Sequence, residues 1–335
     1  MEDINKFLRE LPKTELHLHI EGTLEPEMMM SLADRNHVRL PWTTLEDTNS
    51  AYKFENLQSF LDIYYQGITV LHTEEDFFDL TFAYLQRAAS DSVRHTEIFF
   101  DPQSHTERGI PYEVVVDGIH AALMDGEKYL GISSELILCF LRHLPPTSAL
   151  NTLETALAYK NGIIGVGLDS SELSFPPINF LEVFEKARSI GLRTVAHAGE
   201  EGPPEYIWEA LDILKVDRID HGVRCLEDPL LVEKLRLSQT PLTVCPLSNI
   251  KLKVFSSMSQ HNILKLSEAG LCITINSDDP AYFDGYINDN YAAVYQAFNL
   301  SISDLLLYAK QSIQASFASE SRKTALLAEI NQLIV

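Results

Sequence analysis

Two rhythms of apolar and polar positions run through this chain. Short β-branched or aliphatic runs lie at 14–20 (TELHLHI), 94–100 (RHTEIFF), 135–141 (ELILCFL), 162–168 (GIIGVGL), 192–196 (LRTVA), 218–221 (RIDH), 241–245 (PLTVC) and 271–276 (LCITIN). Between them, apolar residues recur every three or four positions, most clearly at 180–190 (FLEVFEKARSI) and 205–215 (EYIWEALDILK). Strands alternating with helices predict a parallel sheet. Eight such repeats predict an α/β fold, a (β/α)8 TIM-type barrel, and the length of 335 residues suits it. The stretch from Gly22 to about Val93 is long for a single connection and predicts an extra helical insertion after the first strand. Its segment FENLQSFLDIYYQ predicts a helix over the barrel mouth, with aromatics that read as core. From Asn288 to Val335 further helices are expected on the outside. No repeat, low-complexity tract or Gly/Ser/Pro linker divides the chain, so residues 1–335 are expected to form one domain.

The first run carries chemistry as well as structure. In Thr14 to Glu21 (TELHLHIE), Leu16, Leu18 and Ile20 share one parity, and Glu15, His17, His19 and Glu21 share the other. Successive side chains of a strand point to opposite faces. One face is therefore aliphatic, and the other presents two imidazoles flanked by two carboxylates. Burying that face requires partners, and H-x-H on one strand face suits a metal. Taken alone, the pair reads equally well as two solvent-facing histidines on an edge strand.

Polar residues of catalytic type collect at the ends of other runs. The fifth is followed by His197-Ala198-Gly199-Glu200-Glu201, the sixth ends in Asp220-His221-Gly222, and the eighth in Ser277-Asp278-Asp279-Pro280. Enzymes of this fold keep their sites at the C-terminal ends of the strands. Any one of these residues alone reads as a structural histidine, a turn or a helix cap. Four strands of one barrel ending this way point to a metal site. Two histidines at i and i+2, one from another strand and an aspartate form a nitrogen-and-oxygen set that suits zinc, with a position open for water. Such a water ionises near pH 7 and attacks an electrophilic carbon. Glu200, close behind His197, is the candidate proton donor, and His221 is the candidate to orient or deprotonate the water. Of the adjacent aspartates, one can reach the metal while the other faces substrate. Related barrels with two metals often carry a bridging lysine or acid on the fourth strand; GIIGVGLDSSE has no lysine, so one metal is expected.

Composition narrows the partners. The 48 acidic against 26 basic residues give a formal charge of −22, which repels polyanions; nucleic acid and anionic membranes are not expected partners. A small neutral or cationic substrate fits. The four cysteines form no C-x-x-C pair and read as reduced residues of a cytoplasmic protein. The start MEDINKFLRELPK shows no apolar signal region, and no run approaches a membrane span.

With these residues in place the chain resembles the adenosine and adenine deaminase family of the amidohydrolase superfamily. The likeness runs through LPKTELHLHIEGTLEPE, TVAHAGEE, RIDHGVR, PLTVCPLSN and INSDDPAYF, in the family's order. It implies one zinc ion per chain on His17, His19, His197 and Asp278. It implies Glu200 as donor to purine N1, His221 as the group orienting the attacking hydroxide, and Asp279 as the partner of purine N7. C6 is then attacked and ammonia leaves. In adenosine deaminases the first motif usually continues H-x-H-x-Asp-Gly, and that aspartate binds a ribose hydroxyl. Here Glu21 stands in its place, one methylene longer, in space a sugar would need. FFDPQSHTERG, and GLDSSE where adenosine deaminases tend to carry DLAGDE, also look like the adenine branch. In the second stretch Ser170 replaces a glycine whose amide meets the purine. The resemblance therefore implies conversion of a purine base, adenine, to hypoxanthine in purine salvage. Adenosine deaminase is the near alternative. A catalytically inactive, purine-binding barrel would be marked by loss of a ligand or of the acid, and neither is lost.

Overall fold

The computed structural model describes residues 4–159 and 162–333. Eight parallel strands hydrogen-bond in chain order: β1 Lys13–His19, β2 Val93–Phe100, β3 Ser133–Leu141, β4 Gly165–Asp169, β5 Arg193–Ala198, β6 Arg218–His221, β7 Leu242–Val244 and β8 Ile273–Ile275. All eight runs read from the sequence are strands, with ends that agree to within three residues and coincide for β6. The seam between β8 and β1 is closed by a bridge between Leu18 and Asp278: the His19 amide donates to Asp278 O and the Asp278 amide to His17 O, both at 3.1 Å. β8 stops at Ile275 because a side chain takes over the pairing. Asn276 Oδ1 accepts the Leu16 amide at 2.9 Å.

The strands are buried on both faces, as a sheet enclosed by helices requires. Alternation on β1 is less simple than its letters suggest. Pairing with β2 shifts register between Glu15 and Leu18. Glu15 bonds Ser277 and, at 2.7 Å, the Tyr84 hydroxyl of the helix Glu74–Ser90, rather than the imidazoles.

The insertion after β1 contains the helices Pro26–Arg35, Leu45–Ala51, Leu57–Gly67 and Glu74–Ser90. Leu57–Gly67 is the helix expected over the mouth. Asn56 caps it, accepting the Ser59 amide at 3.0 Å while Ser59 Oγ accepts the Asn56 amide. Its Leu57 amide also donates to Glu201 Oε1 at 3.1 Å, tying the insertion to the loop after β5. The helices Ile287–Phe298, Ile302–Ala315 and Glu320–Gln332 follow β8, and Ile302–Ala315 packs against β8 and β1. Residues 334 and 335 of the expected C-terminal stretch lie outside the described residues. Among the described residues no helix is long and apolar enough to cross a membrane. All four cysteines are free thiols.

Candidate active site

The C-terminal ends of the strands surround a small cavity, lined by polar side chains on its floor and apolar ones on one side. Its floor and walls include His19, His197, Glu200, His221, Asp278 and Asp279, with Asp101, Asp169, Ser170 and Glu172 beside them. Its apolar side is built by Leu57, Phe60, Leu61, Tyr64 and Tyr65 of the capped helix, with Leu252 and Phe283. The sequence assigned those aromatics to core. Phe60 and Tyr64 are buried as expected, yet they also form the cavity wall.

Abrupt turns after the strands aim several of these side chains inward. Ser170, His221 and Asp278 have φ of 72°, 63° and 66°. Left-handed backbone at a residue with a Cβ costs on the order of 1–3 kcal/mol and persists only where its surroundings enforce it. Three such residues around one cavity are a mark of function. Gly22 serves close approach: a Cβ there would lie 2.0 Å from Asp279 Oδ1.

Asp278 is the hub. His17 Nε2 lies 3.1 Å and His19 Nε2 3.5 Å from its Oδ1, and His221 Nε2 lies 3.7 Å from its Oδ2. His19 Nε2 and His197 Nε2 face each other at 3.2 Å. The outer ring nitrogens decide the tautomers. His17 Nδ1 lies 3.2 Å from Thr243 O, and His197 Nδ1 3.1 Å from Leu168 O. A carbonyl only accepts, so both rings carry their proton on Nδ1 and turn the Nε2 lone pair toward Asp278. The buried His17 Nε2 has no hydrogen-bond partner. Lone pairs converging with a carboxylate, each ring held from behind by an acceptor, are the arrangement of a divalent metal site. The residues present fit that group: donor atoms of His17, His197, His221 and Asp278 lie within 4.8 Å of one another, and His19 groups with Asp278 and Asp279. His19 and His221 thus both reach Asp278. His221 alone of the two also reaches Glu200, with Nε2 3.5 Å from Oε2.

Electrostatics separate the groups further. Burial is the main cause of each of these shifts. It pushes the His221 imidazole down to about 3 and keeps it neutral. Burial, then the charges of Asp278, Glu172 and Glu201, hold the Glu200 carboxyl well above the carboxylate range. Asp279 is likewise raised by burial and by Asp278. Both shifts favour the protonated carboxyl, the form that can donate a hydrogen bond.

Sequence reasoning missed the scaffold behind Glu200. The Glu172 carboxylate accepts four consecutive amides: Gly199 at 2.6 Å on Oε1, and Glu200, Glu201 and Gly202 at 3.1, 2.8 and 2.7 Å on Oε2. From the other side, Asn249 Nδ2 donates to Glu200 Oε1 at 3.1 Å. His261 in turn contacts Asn249 Oδ1 at 3.2 Å and accepts the Ile263 amide on Nδ1, so its proton lies on Nε2 and fixes the Asn249 orientation. Asp101 directly follows β2 and Asp169 ends β4; the strand-end rule that singled out Asp278 applied equally to both.

Glu21, expected to meet a sugar, is fully buried and is not among the residues lining the cavity. Its Oε1 accepts the Asp101 amide at 3.1 Å and contacts His105 Nε2 at 2.9 Å, while its Oε2 has no hydrogen-bond partner.

Proteins of known identity share this architecture and much of the sequence. A protein from Hahella chejuensis named adenine deaminase is 58% identical over 328 residues, covering 98% of each chain. Another of that name, from Ectopseudomonas mendocina, is 60% identical over 312 residues, 93% of this chain and 99% of the other. The crystal structure of adenine deaminase from Arthrobacter aurescens superposes with a TM-score of 0.96 at 48% identity, over 97% of this chain and 99% of that one. An amidohydrolase from Burkholderia ambifaria, solved with bound Zn, superposes at 0.90 with 26% identity, over 100% of this chain and 94% of that one. The adenosine deaminase family model matches residues 12–333. With that span and relatives of this similarity, the chain belongs to the adenosine deaminase family.

Proposed function

We propose that this protein deaminates adenine hydrolytically, releasing hypoxanthine and ammonia, with one zinc ion held by His17, His19, His197 and Asp278. The observation that carries the reaction is the triangle of Glu200, His221 and Asp278, in which His221 Nε2 stands 3.5 Å from the acid and 3.7 Å from the ligand carboxylate. The substrate reading is supported by full-length likeness to proteins named adenine deaminase.

When bound, the zinc ion supplies a water that ionises near neutral pH. The chain's own groups do the rest. Asn249 Nδ2 approaches His221 Nδ1 at 3.5 Å, which leaves the imidazole proton on Nε2, directed at the Glu200–Asp278 edge. His221 there donates to the attacking oxygen and holds it on one face of the purine ring. Glu200, kept protonated by burial and neighbouring acids, donates to N1 as C6 becomes tetrahedral. Asp279, also protonated, donates to N7. The C6–N bond then breaks: of the water's two protons one leaves with the amine as ammonia, the other returns to Glu200, and hypoxanthine remains. Phe60, Leu61, Tyr64 and Phe283 cover the base and keep bulk water out.

Spectrophotometric assay of adenine and adenosine on purified protein tests this. Adenine is expected to be favoured by at least about 10²-fold in kcat/KM, the range that buried polar mismatches give. Equal efficiency on adenosine would transfer the assignment to the nucleoside.

A further inference from the structure

We propose that Asp101 and Asp169 form the subsite that accepts the imidazole-ring N–H of a free purine base, and that this pair rejects purines substituted at N9. The proposal rests on the adenine reading and names the residues that set its selectivity. Asp101 and Asp169 are 3% and 2% exposed, and both line the cavity. Asp101 Oδ1 and Asp169 Oδ1 have no hydrogen-bond partner, and Asp169 Oδ2 makes no hydrogen bond but faces His19 Nδ1 at 3.5 Å. Two buried carboxyl groups with acceptor atoms left over are costly unless a donor arrives from the ligand. Among the described residues no lysine or arginine lines this cavity to supply one.

The chemical difference between a purine base and its nucleoside is that missing donor. A free base carries one N–H on its five-membered ring. Substitution at N9 removes the proton and adds bulk. Asp279 faces the cavity beside Asp278, while Asp101 and Asp169 come from the ends of β2 and β4, so acids on two sides can meet the two nitrogens of that ring. Ser170, next along from Asp169, is drawn away by Tyr65 and His143, whose contacts to its Oγ are 2.9 and 2.8 Å. This leaves the carboxylate as the polar group of that wall.

Glu21 then acts one layer out. Its Oε1 accepts the Asp101 amide, so it positions the backbone that carries Asp101 instead of meeting a sugar.

Comparing adenine with 9-methyladenine isolates the N–H without a sugar. The wild-type enzyme is expected to favour adenine by at least about 10²-fold in kcat/KM. Asp101→Ala and Asp169→Ala should each lower that ratio at least about tenfold, mainly through loss on adenine, with metal content unchanged in Asp101→Ala and rates normalised to bound metal in Asp169→Ala, whose carboxylate faces His19. A merely structural role would lower both substrates together. Equilibrium binding of hypoxanthine against 9-methylhypoxanthine to the wild type reads the same preference without any variant. Similar turnover of adenine and 9-methyladenine overturns the subsite and leaves the adenine reaction standing. No adenine turnover at all overturns both. Two metal ions per active chain would make the pair ligands of a second cation through His19 and overturn the subsite as well.

Discussion

Glutamine in place of Glu172 tests the loop that carries the proton donor. The carboxylate is 1% exposed and holds four amides, three of them on Oε2. Glutamine keeps one oxygen and replaces the other with an NH2 group. In its better orientation the oxygen faces the three-donor side, and the new NH2 confronts the Gly199 amide, donor against donor. A buried amide left unpaired costs about 1–3 kcal/mol, and a hydrogen bond to a neutral acceptor is weaker than one to a carboxylate by roughly 1 kcal/mol. The rigid limit is therefore roughly 4–6 kcal/mol. The loop will relax to recover part of it, which leaves a destabilisation of about 3 kcal/mol. For 335 residues that is roughly a 4 °C fall in Tm.

Relaxation is what harms catalysis, because it moves Glu200, and an error of about 1 Å at a reacting group can cost about 10²-fold. Glu172→Gln is expected to lower kcat for adenine about 10- to 100-fold, with KM changed less than about threefold and metal content intact. The pH profile gives an independent sign. Glu200 acts in its protonated form, and the Glu172 charge is one cause, after burial and Asp278, that raises its proton affinity. Removing that charge lowers the affinity, so the alkaline limb of kcat/KM should move to lower pH. Turnover within about twofold of wild type and an unmoved alkaline limb would refute the reasoning.

Glu200→Gln preserves shape and removes the transferable proton; kcat should fall at least about 10²-fold with metal content unchanged, and loss of metal would move Glu200 into the ligand set. Metal analysis should find about one zinc per chain, lost together with activity in His17→Ala, and full activity after complete chelation would sink the assignment. Burial holds His261 down to about 3 against an unfolded value near 6.5, so its stabilisation is present above pH 6.5 and lost as pH falls toward 3. At about 1.4 kcal/mol per pH unit this amounts to roughly 3 kcal/mol between pH 6.5 and 4.5. Denaturant unfolding at both pH values should show a smaller loss in His261→Gln, and equal losses would contradict it.

The strands were legible because a parallel barrel buries both faces, which turns each strand into a short β-branched run. The metal-binding face was legible because chemistry at strand ends is a property of the fold, so one rule recovered His197, His221 and Asp278 from scattered positions. The same rule was not carried to Asp101 and Asp169, because a lone aspartate after a strand reads as an ordinary turn residue. Glu172 is different in kind. All four of its ligands are backbone amides, which leave no imprint on neighbouring residue types. Only a carboxylate at the apex of a loop folded in three dimensions reveals it. Glu15 shows the opposite failure: its parity matched His17, but irregular pairing between Glu15 and Leu18 broke the alternation that parity assumes.

Glu21 joins these cases. Its identity as a glutamate was visible, and so was the consequence expected of an acid one methylene longer than aspartate. What the letters could not carry was depth. An extra methylene can push a carboxylate into a cavity or into the layer behind it, and the choice depends on which donors wait there. His105, from the helix Pro102–Thr106, and the Asp101 amide wait in the layer behind and hold Glu21 Oε1, while Oε2 is left without a partner. The same two bonds anchor the end of β2 and set Asp101 at the cavity wall. On the proposed subsite Glu21 acts by positioning another acid, and the bond from the Asp101 amide to its Oε1 joins the two residues in one device although eighty positions separate them.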